Sequence, residues 1–396
     1  MRWMFPDPDD RAETAARKRV IARIDDWWER FEAKTQALSD LFKGRKKWDL
    51  PGWMDETLQA IDPHLMWEFG PAVKTEGHRL VITPESRQYL RPLVRTILDR
   101  APKLPGWEFY SYRLAEGVDD ARAAVEGRTG GSLDAVTVEL RIGEGNRIDL
   151  LFRSPKTDGD DDREATNVAF VATESLLGER ALDRWVGAIE VGPADRGDRK
   201  PRAIALDRLK DTFDALVDSI RDRLPPQPFV EREDGGQRNL IKLQPEEADD
   251  YPGQADLLVA TTRDVELWKA MHAHAPFYSQ RYSRCKETFA YVKLDGSALR
   301  PGSEADDRGK IEDALDEQLA RDRLGVHIGG GTGLQYAYID LALADLDRGV
   351  AQTRRVLRKI DVPERSWILF FDADLAAEWI GVYPETPPPP AEAEDD

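Results

Sequence analysis

The segment GVHIGGGTGLQYAYIDLAL, residues 325–343, decides how the second half of this chain folds. Four of the five residues from Gly329 to Gly333 are glycine, and the residues that follow are mainly apolar and aromatic. A glycine-rich loop can hold a phosphate group when a helix follows it, because the first amide groups of the helix are free to bind an anion. Aromatic residues such as Tyr336 and Tyr338 favour a strand instead. We therefore predict a turn or β-bulge between two strands, where glycine adopts a positive φ at low cost.

A phosphate loop remains the alternative. The run Gly329, Gly330, Gly331, Thr332 and Gly333 resembles the glycine-rich loop of tubulin-like GTPases, and this resemblance implies a ligand site at its first four residues. The likeness covers only five residues, lacks the serine and glycine that come next in the family pattern, and leaves no room for the rest of a GTPase. No Gly-Lys-Ser/Thr follows, so the run is not a Walker loop.

Length and composition limit the class of protein. At 396 residues the chain is long enough for two or three domains. No run of 18 uncharged apolar residues is present, so no transmembrane helix is predicted. The first residues lack the apolar region of a secretion signal, so we expect a cytoplasmic protein. The only cysteine, Cys285, fits a reducing compartment.

The chain is strongly acidic, because 57 lysine and arginine residues stand against 75 aspartate and glutamate residues, a net charge of −18. Such a chain repels nucleic acid and anionic membranes, so we expect neither as a partner. The charge predicts attraction to a basic protein partner, and solubility is the alternative explanation. The sequence gives no indication of the oligomeric state.

Hydrophobic periodicity predicts the secondary structure. The helical spacing of Trp27, Trp28 and Phe31 predicts one long helix over residues 10–43. Two strands flank Gly143–Asn146 as a hairpin, and Val168–Ala172 is predicted as another strand.

These patterns predict an α+β fold with mostly antiparallel sheets, built as two similar α/β sandwich subdomains after an N-terminal helical arm. Prolines at 225, 226 and 228 mark the main boundary. The predicted parts are a helical arm (1–62), a first α+β domain (63–224), a linker (225–238), a second α+β domain (239–384) and a disordered, acidic, proline-rich tail (385–396).

Short matches suggest that the second half repeats the first. Leu80-Val81-Ile82-Thr83 is echoed by Leu258-Val259-Ala260-Thr261, and each half has a helix that ends in Ala-Pro. We therefore predict an internal duplication, in which residues 78–192 and 255–383 share their strand order.

Two carboxylates near the C-terminus are candidate metal ligands. An apolar run precedes Asp372-Ala373-Asp374. This pattern resembles the first motif of haloacid-dehalogenase phosphatases and the Asp-x-Asp of nucleotide-sugar glycosyltransferases, which implies a divalent cation held beside phosphate. Only 22 residues follow Asp374, fewer than either family needs. Capping of the following turn, Ala376–Trp379, by these carboxylates is the simpler interpretation. No Cys/His spacing indicates zinc, and we predict no metal site and no cofactor.

Three motifs stand out in the first third of the chain: Leu65-x-Trp67-Glu68-x-Gly70-Pro71, Leu80-Val81-Ile82-Thr83 and Ala101-Pro102-x-Leu104-x-Gly106-Trp107. Together with the helix that contains Trp27-Trp28-x-x-Phe31, they resemble an uncharacterised bacterial protein family, a domain of unknown function. The resemblance implies a cytoplasmic α+β protein, and it carries over no catalytic residue.

Three functions stay open from the sequence. We favour a non-enzymatic, acidic protein-binding module of the immunity or regulatory type, because no coherent catalytic set is visible. The first alternative is a metal-assisted phosphotransfer or hydrolytic enzyme that uses Asp372 and Asp374, with Gly329–Gly333 nearby. The second is a structural scaffold.

Overall fold

A computed structural model describes residues 1–155, 163–193, 203–232, 238–299 and 307–391. The chain divides into two compact units. The first unit comprises residues 14–220, and the second comprises residues 1–13 together with residues 221–396. None of the helices in these described ranges is long and apolar enough to cross a membrane.

The first unit combines helices with two small sheets. Its helices, some of which run past the unit boundaries, are α1 (Arg11–Phe42), α2 (Leu50–Thr57), α3 (Arg91–Asp99), α4 (Val118–Thr129), α5 (Arg163–Leu177), α6 (Glu179–Trp185) and α7 (Leu209–Arg223). Its strands are β1 (Met66–Pro71), β2 (His78–Thr83), β3 (Trp107–Tyr110), β4 (Thr137–Ile142), β5 (Ile148–Ser154), β6 (Val186–Pro193) and β7 (Ile204–Ala205). They form one sheet of order β1-β2-β3 and another of order β6-β5-β4-β7.

Helix α1 packs on the β1-β2-β3 sheet through its aromatic residues. Trp27, Trp28 and Phe31 are buried, as expected for apolar residues at helical spacing. The ring of Phe31 lies 4.9 Å from that of Trp107 in an edge-to-face arrangement. The indole nitrogen of Trp28 donates to the carbonyl of Ile97 at 2.8 Å. The predicted helical arm is therefore part of the first unit's core from Thr14 onward.

The second unit is built on one seven-stranded sheet. Its strands are β8 (Asn239–Lys242), β9 (Leu257–Thr262), β10 (Thr288–Asp295), β11 (Gly325–Gly333), β12 (Tyr336–Leu343), β13 (Ser366–Phe370) and β14 (Ile380–Gly381), and its helices are α8 (Val265–Met271), α9 (Arg308–Arg321) and α10 (Leu346–Lys359). The strand order is β14-β13-β10-β12-β11-β9-β8, and every neighbouring pair is antiparallel.

The two faces of this sheet differ in chemistry, because successive side chains of a strand point to opposite faces. On one face Val292, Ile339 and Ile368 belong to an apolar core that includes residues of α9 and α10. On the other face lie Tyr338 and Trp367, part of an aromatic cluster. We call the first the helical face and the second the aromatic face.

The N-terminal residues belong to the second unit because a buried carboxylate holds them there. The backbone amides of Trp3, Met4 and Phe5 donate to the two oxygens of Glu378 at 2.7, 3.0 and 3.0 Å. Glu378 is buried, so these hydrogen bonds replace the water that a carboxylate otherwise requires. No sequence pattern indicates this attachment.

The glycine-rich run carries the predicted β-bulge, but it forms part of strand β11 and does not lie between two strands as expected. The register shifts between His327 and Gly329 and again between Thr332 and Gly333. Gly330 has φ +152°, and a Cβ placed on it would lie 2.2 Å from the carbonyl oxygen of Tyr338. Glycine is therefore required for the neighbouring strands to approach. The next element is strand β12, so the helix that a phosphate loop needs does not follow.

The α+β class, the mostly antiparallel sheets and the long N-terminal helix agree with the prediction. The predicted shared strand order is wrong. In the first unit β2 pairs with β3 in parallel, whereas their proposed counterparts β9 and β10 are separated by β11 and β12. Matches of four residues reflect similar local propensities, and they do not specify which strands become neighbours.

Three local predictions also need correction. Val168–Ala172 lies within α5, because a short apolar run fits a buried helix as well as a strand. Phe229, in the predicted linker, is buried and its amide donates to Glu287 at 2.6 Å. In the predicted disordered tail Thr386 is buried, and the carbonyl of Pro387 accepts a 2.6 Å hydrogen bond from the Trp367 indole. The remaining tail residues, 392–396, lie outside the described ranges.

Candidate functional site

The connection from β8 to β9, residues 243–256, carries the most distinctive exposed chemistry of the second unit. It contains the run Glu246-Glu247-Ala248-Asp249-Asp250, and all five residues are exposed. Among the described residues, no salt-bridge partner of Glu246, Glu247 or Asp249 is found. We call residues 243–256 the acidic connection.

A buried lysine fixes the acidic connection to the aromatic face. Lys293 on β10 has no solvent exposure, and its ammonium group donates to the carbonyls of Tyr251 and, at 3.1 Å, Gly253. The same group lies 4.0 Å from the ring centroid of Tyr336, a cation–π contact. Burial lowers the pKa of Lys293 to about 8, although the nearby Asp256 carboxylate opposes the shift.

Asp256 fastens the other end of the acidic connection. Its carboxylate is fully buried and accepts hydrogen bonds from the backbone amides of Gln335 and Tyr336 at 2.8 and 2.9 Å. The hydroxyl of Tyr338 also donates to it. Asp256 thereby joins the start of β9 to the β11–β12 turn and satisfies two amides that would otherwise be buried without partners.

Asp250 ends the acidic run and, within the described ranges, is the one carboxylate of the run with a salt-bridge partner. It accepts a hydrogen bond from the Tyr336 hydroxyl at 2.6 Å and forms a salt bridge with Arg365 at 2.9 Å. Burial raises the pKa of Asp250, but hydrogen bonds from Tyr336, Tyr251 and Arg365 outweigh this and hold the pKa below its usual value. Asp250 is therefore charged at neutral pH.

Gln254 links the acidic connection to a buried acid. Its amide nitrogen donates to Asp340 at 2.9 Å, and its amide oxygen lies 2.9 Å from His272 Nε2. Nδ1 of His272 lies 2.9 Å from the carbonyl of Trp268, so both ring nitrogens face oxygen acceptors. Burial raises the pKa of Asp340 to about 6 and lowers the pKa of His272. The hydrogen bond from Gln254 opposes the rise in the pKa of Asp340.

The role of this buried network is to position the acidic connection. Shifted pKa values often mark catalytic groups, but Lys293 and Asp256 have no exposure and Asp340 has 2%. A reacting group must reach its substrate, and these three groups are covered by the acidic connection itself. Their contacts hold residues 251–256 of the acidic connection against the aromatic face.

Charge is distributed unevenly between the two units. By sequence, the first unit has 33 lysine and arginine residues against 37 aspartate and glutamate residues, a net charge of −4. The second has 24 against 38, a net charge of −14. Most of the excess negative charge therefore belongs to the unit that carries the acidic connection.

In the first unit the buried carboxylates are paired internally. Arg91 contacts Glu179 at 2.8 Å and Asp183 at 2.6 Å, and Arg113 contacts Glu174 at 2.8 Å. These ion pairs are almost completely buried, so they serve the packing of that unit.

The predicted ligand residues do not come together. Asp372 follows β13, whereas Gly329, Gly330, Gly331 and Thr332 lie on β11, and the intervening β10 and β12 place these strands about 14 Å apart. The acids and the glycine run therefore do not share one ligand site.

Asp372 has a structural partner. Its carboxylate accepts a 2.9 Å hydrogen bond from the amide of Ser279 and another from the Ser279 hydroxyl. Its side chain makes no capping hydrogen bond to the short turn Ala373–Leu375, which contains Asp374. Capping of Ala376–Trp379 stays a prediction. No group of three or more side chains that could hold a metal ion is found in the described part of the chain.

Sequence reasoning missed Lys293, Asp256 and the acidic connection. One signal was present: Tyr336, Tyr338 and Asp340 alternate along a strand and so share one face. Polar side chains on a buried face require polar partners. The segment before β9, with its run of four acids, offered such partners.

No protein-family model matches the chain, and no curated protein or solved structure matches it significantly.

Proposed function

We propose that this chain is a non-enzymatic protein-binding module whose second unit binds a basic protein. The observation that carries the proposal is the acidic connection, where Glu246, Glu247 and Asp249 are exposed and lack salt-bridge partners among the described residues. A buried network holds the end of this segment, residues 250–256, against the sheet.

The charge of the second unit supports the same function. Opposite net charges steer two proteins together and raise the association rate at low salt. With a net charge of −14, the second unit attracts a basic surface and repels acidic ones. This electrostatic selection restricts the partner class to basic proteins.

No observation favours the metal-dependent enzyme over this function. Both oxygens of Asp372 are engaged by Ser279. The buried Lys293 and Asp340 have hydrogen-bond partners in the packing of the second unit.

Affinity capture with three forms of the intact protein tests the proposal. The first bait is the wild type. The second carries Glu246→Gln, Glu247→Gln and Asp249→Asn, and the third is a matched control with Glu29→Gln, Glu32→Gln and Glu126→Gln. All six residues are exposed, and both triple variants lose the same charge.

We expect the wild type and the matched control to retain the same basic proteins from a lysate of the source cell, and the acidic-connection variant to lose them. Quantitative mass spectrometry provides the readout. Retention of mainly acidic or neutral proteins, or equal recovery on all three baits, would contradict the proposed function.

A further inference from the structure

A cavity of about 500 Å³ lies in the second unit between its N-terminal residues and helix α10. Small-molecule sites have volumes in this range. The apolar part of the lining includes Met4, Phe5, Val350 and Ile380, and the charged part consists of Arg2, Asp7, Asp347 and Arg354. We call it the α10 cavity.

Contacts within the chain fix the N-terminal wall of the α10 cavity. Residues 3–5 donate three amide hydrogen bonds to Glu378. Glu13 accepts a hydrogen bond from the amide of Asp7 at 3.0 Å and forms a salt bridge with Arg2 at 2.6 Å. Arg2 is therefore already neutralised, and the wall needs no ligand to hold its position. A preformed wall lowers the entropic cost of binding.

The apolar lining is part of the packed interior. Val350 and Ile380 belong to the apolar core of the second unit, and Met4 and Phe5 pack against that core. The ring of Phe5 stacks on the ring of Phe370 with 5.2 Å between their centroids. The α10 cavity therefore offers a fixed apolar surface, and covering that surface with an apolar group stabilises a complex.

Arg354 brings to this cavity a positive charge that no carboxylate pairs with directly. Its Nε atom donates to the carbonyl of Val382 at 3.1 Å, and Arg358, one helical turn further along α10, donates to the same carbonyl. Within the described ranges, neither arginine has a salt-bridge partner, and the Nη groups of Arg354 have no acceptor. Burial and the charge of Arg358 lower the pKa of Arg354, and Asp7 opposes this shift. An anion beside Arg354 relieves the repulsion between the two guanidinium groups.

Asp7 supplies the opposite charge in the same cavity. Its carboxylate accepts a 3.0 Å hydrogen bond from the amide of Asp9, and none of the described residues forms a salt bridge with it. Asp7 acts electrostatically on Arg354, but the two side chains do not form an ion pair. A ligand that carries both charges close together can therefore bind both side chains at once.

A second carboxylate, Asp347, lies further away along α10. It is exposed and lies seven residues before Arg354, about 10 Å along the helix axis. Residues seven positions apart share one face of a helix, so both line the α10 cavity. Asp347 is too distant to share with Arg354 a ligand whose two charged groups are attached to one carbon atom.

We propose that the α10 cavity binds a free, apolar α-amino acid. The carboxylate and the ammonium group of such a molecule are attached to one carbon atom. The carboxylate binds Arg354, the ammonium group faces Asp7, and the apolar side chain packs on Phe5, Val350 and Ile380. The α10 cavity contains no residue of the acidic connection, so this inference is independent of the proposed function and adds a small-molecule site to it.

Three related small molecules test this inference on the full-length wild-type protein. L-phenylalanine is the probe, 3-phenylpropionate lacks its ammonium group, and 2-phenylethylamine lacks its carboxylate. We expect isothermal titration calorimetry to show binding of phenylalanine, and binding of each analogue that is weaker by about tenfold or more, the effect of one lost charge-assisted hydrogen bond. This comparison needs no variant, so it does not depend on the folding of a mutant.

Two substitutions on α10 test the carboxylate contact. Arg354→Gln removes the charge from the α10 cavity, and the Val382 carbonyl keeps its hydrogen bond from Arg358. Arg355→Gln removes the same charge from an exposed position that does not line the cavity. We expect phenylalanine to bind Arg354→Gln about tenfold or more weakly than the wild type and to bind Arg355→Gln like the wild type.

Two further substitutions test the ammonium contact. In Asp7→Asn we expect phenylalanine to lose its advantage over 3-phenylpropionate, because the ammonium group has no carboxylate to face. Asp347→Asn removes the same charge from the same cavity, and we expect it to keep that advantage.

Several results would overturn the inference. If neither phenylalanine nor leucine binds in the millimolar range, the α10 cavity is not an amino-acid site. If 3-phenylpropionate binds as tightly as phenylalanine to the wild type, the cavity accepts a simple anion. Equal affinities of Arg354→Gln and Arg355→Gln for phenylalanine, or loss of the ammonium preference in Asp347→Asn and not in Asp7→Asn, would also contradict it.

Discussion

The ammonium group of Lys293 lies 4.0 Å from the ring centroid of Tyr336, and the hydroxyl of that tyrosine donates to Asp250 at 2.6 Å. Lys293 also donates to the carbonyls of Tyr251 and Gly253. One buried cation therefore holds the end of the exposed acidic run against the sheet. Its state of protonation is linked to the stability of the second unit.

We expect the unfolding free energy to rise with pH above about 8 because of Lys293. Its folded pKa, about 8, is below the unfolded value of about 10.4. Between these values the unfolded chain binds more protons, so raising the pH favours the folded state by up to about 3 kcal/mol. Chemical denaturation at several pH values should show this rise in the wild type relative to Lys293→Met. Parallel pH curves for the two proteins would contradict the burial of a charged lysine.

Asp340 should act in the opposite direction at lower pH. Its folded pKa, about 6, is above the unfolded value of about 3.9. Between these values the folded chain binds more protons, so its stabilising effect is complete below about pH 4 and is lost as pH rises through 6. Asp340→Asn should therefore gain up to about 3 kcal/mol of unfolding free energy relative to wild type between pH 4 and pH 7. If the difference in unfolding free energy between Asp340→Asn and the wild type does not change with pH, Asp340 is in contact with water.

Substitution of Gly330 tests the close approach of the strands. A Cβ at Gly330 would meet the carbonyl oxygen of Tyr338 at 2.2 Å, and φ is +152°. We expect Gly330→Ala to lower the unfolding free energy by about 2 kcal/mol or more. Gly127 in α4 is the matched control, because nothing lies within 4 Å of a Cβ placed there. Gly127→Ala should stabilise by about 0.5–1 kcal/mol. Equal effects would mean that the bulge is not needed.

Asp372 should serve stability and not metal binding. Asp372→Asn exchanges a charged acceptor for an amide next to Ser279, so we expect a loss of about 1 kcal/mol in unfolding free energy. Calorimetry with Mg²⁺ or Mn²⁺ should give the same result for both proteins. Micromolar binding that the variant loses would make the metal-dependent enzyme the leading function.

Local patterns predicted much of this fold. The hairpin around Gly143–Asn146 and the long helix α1 were evident from turn residues and from 3.6-residue spacing. The strand after the glycine run was evident from its aromatic residues. Each of these elements depends on interactions between residues a few positions apart in the chain. The local sequence pattern is therefore sufficient to predict it.

The candidate site could not be predicted in the same way. Lys293 contacts Tyr251 and Gly253, which lie 42 and 40 residues away, and Asp256 contacts Gln335 at a distance of 79 residues. Alternation along β12 shows that Tyr336 and Tyr338 share a face, but it does not show which connection covers that face. The acidic run was visible, and its fixed position depended on these distant contacts.

The most direct test of the central claim is the salt dependence of association with a purified captured partner. Stopped-flow fluorescence at low and high salt gives association and dissociation rates for the wild type, the Glu246/Glu247/Asp249 variant and the Glu29/Glu32/Glu126 control. We expect high salt to slow wild-type association by about tenfold or more while dissociation changes little. The control should behave like the wild type, and the acidic-connection variant should associate slowly with a weaker salt dependence. Association that is indifferent to salt, or identical in all three proteins, would contradict binding of a basic partner through the acidic connection.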